Sequence, residues 1–176
     1  RPRLQNNLIS HGVGRVDNEL QRQVLLAVRL KRNIKKKQNK QKPNIMIFAG
    51  SQGAESINAN VFENAELLAK NFHILHITGE QGIELGRVVR HKMTKELQKY
   101  YEPVDFLAND MIAAYNWADI VVSRAGMNSL CELAALSKPA IVIPLPSSTN
   151  AHQLKNAQYL AKQGAIRLFE QKDLTG

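Results

Sequence analysis

Six short runs rich in β-branched and other apolar residues alternate with segments of helical periodicity. The runs cover residues 45–50, 72–79, 104–107, 119–126, 139–146 and 165–169. Apolar residues at helical spacing fill the intervals, over 55–70, 83–100, 111–118, 128–136 and 151–163. Continuous apolar strands separated by helices are typical of a parallel sheet that is covered on both faces. The sequence therefore predicts an α/β fold, a Rossmann-like parallel sheet of about six strands with helices on both faces.

The length and composition suit one ordinary domain. The chain has 176 residues, of which 44% are hydrophobic, and this content excludes disorder of the whole chain. A single cysteine, Cys131, excludes an intramolecular disulfide and a zinc site built from several cysteines. No apolar run approaches the roughly 18 residues of a spanning helix, and the start shows no signal-peptide pattern. We expect an intracellular protein, soluble or at a membrane surface, and, from the start at Arg1, a piece of a longer chain.

The positive charge is confined to the N-terminal quarter. Residues 1–42 hold 12 Lys and Arg against 2 Asp and Glu, a net charge of +10, whereas residues 43–176 hold 12 against 13, a net charge of −1. Aromatic residues make up only 6% of the chain, and no aromatic stripe marks a base-stacking platform. The globular part thus lacks the charge that would attract a polyanion, so we expect no nucleic-acid partner.

Two domains of different kind are predicted. Residues 1–43 form an N-terminal segment with an amphipathic helix over 17–32 and a basic linker that ends at Pro43, and residues 44–176 form the α/β domain. The linker is interpreted as a solvated surface segment, with attraction to an anionic membrane or to nucleic acid as the alternative.

The first candidate site follows the first strand, in the sequence AGSQGAES over 49–56. Gly50 and Gly53 allow a tight turn, Ser51 and Gln52 add neutral donors, and a helix begins near Ala54. The free N–H groups and the positive dipole end of that helix favour a phosphate or diphosphate. A glycine turn kept for its geometry alone is the alternative.

The second candidate site follows the fourth strand, in SRAGMNSLCEL over 123–133. Arg124 is interpreted as a phosphate or carboxylate partner or as one half of a surface ion pair. Asn128 and Ser129 stand where a helix is expected to begin, so they are candidate caps. Glu132 follows Ser129 by three residues, which fits a capping box, and its place on the first helical turn equally suits a ligand with a vicinal diol, such as a ribose.

The third candidate site follows the fifth strand, where neutral hydrogen-bonding side chains cluster at Asn150, His152, Gln153 and Asn156. Such side chains suit sugar hydroxyls. His152 is interpreted as a surface or supporting residue rather than a general base. No spacing of His, Asp, Glu and Cys predicts a metal site.

Four stretches in order resemble the C-terminal, donor-binding domain of the MurG family, the bacterial family 28 glycosyltransferases of the GT-B fold. The resemblance covers about residues 44–173, and the stretches are FAGSQGAESIN, DMIAAYNWADIVVSRAG, CELAALSKPAIVIPLP and NAHQLKNA.

The resemblance implies a set of residues that bind UDP-N-acetylglucosamine (UDP-GlcNAc). Contacts to the diphosphate are implied for the loop Ser51, Gln52 and Gly53, and the uracil is held by backbone at Leu107, with Ala108 as the alternative. Glu132 binds the ribose hydroxyls. The remaining implied contacts are Met127, Asn128, Ser129 and Leu130 around the nucleotide, Gln153 and His152 at the sugar, and Arg15 at the phosphates.

The resemblance further implies inverting transfer of GlcNAc to a lipid-linked muramoyl-pentapeptide in peptidoglycan synthesis, with no metal or cofactor. It places the base and the lipid acceptor site in an N-terminal domain, so no catalytic residue is expected here, and the chain alone should bind the donor weakly without turnover. The implied location is the cytoplasmic face of the bacterial inner membrane, as a peripheral protein. The alternatives are a donor-binding subunit that needs a membrane partner and a non-catalytic nucleotide-sugar sensor.

Overall fold

The structure, a computed structural model, describes residues 42–48, 55–107, 110–146 and 152–174. The predicted helix over 17–32 and nearly all of the basic linker lie outside these residues. The division of the chain at residue 43 therefore stays a prediction.

One parallel sheet forms the centre of the described fold. Its strands are β1 (Asn44–Phe48), β2 (His73–Ile77), β3 (Tyr101–Val104), β4 (Ile120–Ser123), β5 (Ala140–Val142) and β6 (Arg167–Leu168). They lie in the order β3-β2-β1-β4-β5-β6, and each neighbouring pair is parallel. The predicted six-stranded parallel sheet is confirmed.

Helices connect the strands as the periodicity predicts. They are α1 (Glu55–Asn71), α2 (Ile83–Lys92), α3 (Met111–Trp117), α4 (Met127–Ala135) and α5 (His152–Lys162), with short 3₁₀ helices at Leu97–Tyr100 and Gln171–Leu174. Among the helices that the structure describes, none is both long and apolar enough to cross a lipid bilayer.

The stretch between α2 and β3 differs from the sequence prediction. The helix expected over 83–100 ends at Lys92, because Met93 is buried in the core and adopts an extended conformation. The third strand, expected over 104–107, begins instead at Tyr101. Pro103 disguises this strand in the sequence, yet β3 pairs only with β2 and tolerates a residue without an N–H.

The core has two layers, one on each face of the sheet. Along β1, Ile45 and Ile47 pack with the apolar face of α1, whereas Met46 and Phe48 pack with residues of α3, α4 and α5. All four side chains are buried. A strand covered on both faces has no reason to alternate between apolar and polar residues, which explains the continuous run IMIF.

The strand order creates a crevice at the carboxyl end of β1. The chain leaves β1 for β2 and β3 on one side and returns to β4 on the other side. Helices that follow β1 and β4 therefore lie on opposite faces of the sheet, and a gap opens between the ends of these two strands. Ligands of open α/β sheets bind at such a point.

A buried hydrogen-bond chain joins α1 to β2 and β3. Nδ2 of Asn58 donates to the carbonyl oxygen of Thr78 (2.8 Å), so Oδ1 of Asn58 accepts from Nε2 of His76 (3.0 Å). Nδ1 of His76 then accepts from the hydroxyl of Tyr101 (2.9 Å). Burial lowers the pKa of His76 from 6.5 to about 3, so the imidazole is neutral at neutral pH and its two nitrogens take these opposite roles.

Two helices end in the same hydrogen-bonded motif with different residues. After α5, Gly164 has a positive φ, its N–H donates to Ala161, and the next N–H donates to Leu160. After α4, Ser137 takes the equivalent place with φ 48°, and its N–H donates to Ala134. Both ends are Schellman motifs, but a residue with a Cβ is strained in the left-handed conformation.

Replacing Ser137 by glycine is expected to raise the free energy of unfolding by about 0.5–1 kcal/mol, since the strain at positive φ is relieved while some chain entropy is lost. Urea denaturation measures the change. Ser137→Ala is the matched control, because it keeps the Cβ and should bring no gain. A glycine variant no more stable than the alanine variant would show that the strain is negligible.

The low pKa of His76 predicts a loss of stability in acid. Between about pH 6.5 and pH 3 the unfolded histidine binds a proton that the folded one does not. The contribution of His76 is therefore fully present above pH 6.5 and is lost as the pH falls, at up to about 1 kcal/mol per pH unit. Urea denaturation between pH 7 and pH 4 should give a shallower pH dependence for His76→Gln than for the parent. The exposed His91, changed to Gln, should leave the parent's slope unchanged, and equal slopes for the two variants would contradict the prediction.

Candidate functional site

Helix α4 begins directly beside the crevice. β4 ends at Ser123, and Gly126, which is extended, is the residue that precedes the first helical turn. Among the described residues no side chain caps this turn, and the first backbone bond of the helix runs from the N–H of Leu130 to the carbonyl oxygen of Gly126. The first N–H groups of α4 and its positive dipole end thus remain for a ligand. Met127 and Asn128 are exposed at the same place.

The interpretation of Ser129 and Glu132 as a capping box, one of two alternatives, is wrong. Since α4 starts at Met127, Ser129 is the third helical residue and not the cap. Glu132 consequently lies in the second turn, not in the first. The spacing of Ser129 and Glu132 fits a capping box, but the extended Gly126 begins the helix earlier than the motif implies.

A buried tyrosine holds the carboxylate of Glu132. The hydroxyl of Tyr115, on α3, donates to Oε2 of Glu132 at 2.7 Å. Burial, together with this hydrogen bond and the charge of Glu132, raises the pKa of Tyr115 above its usual range. The ring of Tyr115 also meets Phe48 edge to face, with the centroids 6.0 Å apart. Tyr115 therefore places the carboxylate of Glu132 near the carboxyl end of β1.

Sequence reasoning missed Tyr115. The residue lies in one of the stretches that resemble the family, but a tyrosine on the apolar face of a short helix gives no sign of a polar contact. Its partner is 17 residues away along the chain. The only available signal was a hydroxyl among the mostly apolar residues of this short helix.

Arg124 is neither a surface residue nor one half of a surface ion pair. Only 7% of the residue is exposed. Nη1 donates to the carbonyl oxygens of Ile143 (3.3 Å) and Pro144 (3.2 Å), and Nη2 donates to Oγ of Ser56 (2.8 Å). Burial lowers the pKa of the guanidinium, which nevertheless stays charged at neutral pH. A full positive charge thus lies under the crevice.

The start of α5 lies near the end of β5. Oε1 of Gln153 accepts from the N–H of Leu145 at 3.0 Å, so the orientation of this amide is fixed by the backbone that leaves β5. The donating NH₂ group of Gln153 points away from that bond. His152, the first residue of α5, is exposed, as expected for a surface residue.

Leu107 is half-buried after β3 and packs against the core cluster that contains Tyr115. Its side chain is thus engaged in packing, and its backbone is the part available at the carboxyl edge. Phe106 beside it is largely exposed. The alternative position, Ala108, lies outside the described residues.

Several predicted contacts also fall outside the described residues. They are Ser51, Gln52, Gly53, Asn150 and Arg15. The start of α1 is described, and Glu55 is its first residue. The predicted phosphate loop therefore lies in the chain between the end of β1 and the positive dipole end of α1.

A second cleft of about 420 Å³ lies at the carboxyl end of β2, between α1 and α2. Asn58 and Thr78 line it, together with the carboxylates Glu55 and Glu80. The two negative charges make this cleft less suited to a diphosphate than the crevice beside Arg124. In the part of the chain that the structure describes, no group of three His, Cys, Asp or Glu side chains could hold a metal ion.

A family model described as the glycosyltransferase family 28 C-terminal domain matches residues 44–176. The chain belongs to this family. A relative from Anaeromyxobacter sp. (strain Fw109-5) is 36% identical over 141 residues, 77% of this chain and 35% of the relative. One from Bacillus cytotoxicus is 41% identical over 136 residues, 76% of this chain and 36% of the relative. Both are named UDP-N-acetylglucosamine--N-acetylmuramyl-(pentapeptide) pyrophosphoryl-undecaprenol N-acetylglucosamine transferase.

Solved structures agree with this membership. The crystal structure of Acinetobacter baumannii MurG is 30% identical, with a TM-score of 0.67 over 77% of this chain and 38% of that one. The solution structure of ALG13 is 16% identical, with a TM-score of 0.55 over 76% of this chain and 82% of that one, which shows the shared fold alone. The predicted family is confirmed. The chain spans about a third of the length of the curated relatives it matches, and the role of each site residue stays a prediction.

The hydrogen bond between Tyr115 and Glu132 is expected to contribute about 1 kcal/mol to folding, less than a fully buried charged pair because Glu132 is exposed. Tyr115→Phe should lower the free energy of unfolding by this amount, and the double variant with Glu132→Ala should lose less than the sum of the two single changes. Tyr159→Phe is the matched control, since Tyr159 is exposed and should be neutral. Strict additivity of the two changes at Tyr115 and Glu132 would contradict the contact.

Proposed function

We propose that this chain binds the donor in a UDP-GlcNAc transferase that adds GlcNAc to a lipid-linked muramoyl-pentapeptide, the step of peptidoglycan synthesis that converts lipid I to lipid II. Family membership and the names of the similar proteins support this proposal. The observation that carries it is the carboxylate of Glu132, which Tyr115 holds through Oε2 beside the crevice. The second oxygen, Oε1, is then available to accept from a ribose hydroxyl.

The charges around the crevice suit the diphosphate of the donor. The N-termini of α1 and α4 flank the ends of β1 and β4, and their dipoles favour an anion. We assign the diphosphate to the loop Ser51, Gln52 and Gly53 and to the start of α4. We assign the contacts to the sugar to Gln153 and the exposed His152, and the contact to the uracil to the backbone at Leu107.

The proposed reaction is an inverting displacement at the anomeric carbon of GlcNAc. A hydroxyl of the acceptor attacks as a base removes its proton, and the bond to the diphosphate breaks. Preorganised N–H groups and a nearby positive charge stabilise the negative charge that develops on the leaving UDP. We assign the base and the lipid acceptor site to the part of the relatives that this chain does not span. The chain alone should therefore bind the donor without transferring its sugar.

We further propose that the protein works at the cytoplasmic face of the bacterial inner membrane as a peripheral protein. A lipid-linked acceptor supports this, as do the eight basic residues between Arg29 and Lys42, which suit an anionic lipid surface. Lys42 itself is tied to the fold, because Nζ donates to the carbonyl oxygen of Ala69 and lies over the ring of Tyr100. The alternatives of a subunit with a separate membrane partner and of a sensor have no observation in their favour.

Calorimetric titration tests the proposal with UDP-GlcNAc, UDP-GalNAc and UDP-glucose. We expect the parent chain to bind UDP-GlcNAc most tightly, and Glu132→Ala to weaken binding by about tenfold or more, as befits the loss of a hydrogen bond to a charged group. Ser51→Ala should also weaken the binding of UDP-sugars, but by less than Glu132→Ala, because it removes a neutral hydrogen-bond donor rather than a charged group.

Glu66→Ala is the matched control for Glu132→Ala. Glu66 is an exposed carboxylate on α1 whose partner is Lys70, far along the helix from its first turn, so UDP-GlcNAc affinity should not change. If the parent binds no UDP-sugar, the proposed function is wrong. If it binds and both site variants bind equally well, the assignment of the site is wrong.

A further inference from the structure

The guanidinium of Arg124 joins three elements that meet at the crevice. The residue follows β4 directly, Nη2 donates to Ser56 in the first turn of α1, and Nη1 donates to the carbonyl oxygens of Ile143 and Pro144 just after β5. These contacts span 68 residues of sequence toward α1 and 19 to 20 toward β5.

Each of the three joined points adjoins a part of the proposed donor site. The first turn of α1 follows the phosphate loop, β4 leads into α4 with Glu132, and the end of β5 leads toward Gln153. The backbone of β5 is itself engaged there, since the N–H of Leu145 donates to Gln153. A shift of one point against the others would therefore change the distance between the groups assigned to the diphosphate, the ribose and the sugar.

We propose that Arg124 is a positioning residue for donor binding, which holds the first turn of α1 at a fixed distance from β4 and β5 and so aligns the positive end of α1 with that of α4. This inference rests on the proposed function. Its chemistry requires a planar fork, because two separate nitrogens serve two separate elements. Lysine keeps the positive charge, but it has a single nitrogen. That nitrogen cannot replace both Nη2, which donates to Ser56, and Nη1, which donates to the carbonyl oxygen of Pro144.

The environment of Arg124 favours a positioning role over direct electrostatic attraction of the ligand. Nη1 and Nη2 both donate to neutral oxygens among the described residues, so both nitrogens of the fork are engaged within the fold. A buried polar group that is removed leaves its partners unsatisfied, and the elements that it joined then relax independently.

Calorimetry with two ligands separates positioning from general damage. For Arg124→Lys we expect the dissociation constant of UDP to rise about tenfold or more, as for one lost charge-assisted hydrogen bond. The binding of uridine, which lacks phosphates, should change much less. Ser56→Ala should weaken the binding of UDP several-fold, whereas Ser56→Thr should bind UDP as the parent does, because threonine keeps the hydroxyl. The double variant Arg124→Lys with Ser56→Ala should bind UDP no more weakly than Arg124→Lys alone.

Arg90→Lys is the matched control. Arg90, on α2, also donates to backbone carbonyl oxygens, those of Gln98 and Tyr101, but these contacts lie at the amino end of β3, away from the crevice. Its lysine variant should lower the melting temperature and leave UDP affinity as in the parent. Binding is measured well below the melting temperature of each variant, and Ser56→Ala, which removes a single hydrogen bond, carries the test if Arg124→Lys does not fold.

The outcomes separate the two proposals. A parent chain that does not bind UDP contradicts the proposed function. A parent that binds UDP, with Arg124→Lys and Ser56→Ala binding it equally well, overturns the role of Arg124 alone. Equal weakening of UDP and uridine would also overturn it, since it would mark a general loss of structure.

Discussion

The parallel pairing of β1 with β2 on one side and β4 on the other is the constraint on which the rest of the structure depends. It places β1 in the middle of the sheet, where Ile45 to Phe48 are buried, and it places the helices after β1 and β4 on opposite faces of the sheet. The carboxyl ends of these two strands then bound a crevice that no connecting helix covers. The positive ends of α1 and α4, the carboxylate of Glu132 and the charge of Arg124 all reach this crevice because of that pairing.

Two buried side chains support the crevice from below. Tyr115 orients a carboxylate that is itself exposed, and Arg124 joins the ends of two strands to the start of a helix. Each of the two residues makes a hydrogen bond to a side chain that another element presents. The positive charge of Arg124 at the crevice is a local feature, because residues 43–176 together carry a net charge of only −1.

Local patterns predicted the sheet well and two boundaries badly. The strand around β1 and the helix α1 follow directly from continuous and periodic apolar residues. The helical pattern that runs past Lys92 does not reveal that Met93 leaves the helix for the core, and Pro103 hides an edge strand. The spacing of Ser129 and Glu132 predicted a cap by the same local logic, and the extended Gly126 contradicts it.

By itself the sequence determined the class of fold and the family, since strand and helix periodicity and short motifs are local properties of the chain. Only the tertiary structure decided that Arg124 joins three elements, that Tyr115 holds Glu132, and that His76 is buried and neutral. The physical reason is that hydrogen-bond partners and burial depend on which elements cross in space. Arg124 and Ser56 are 68 residues apart, and no pattern along the chain connects them.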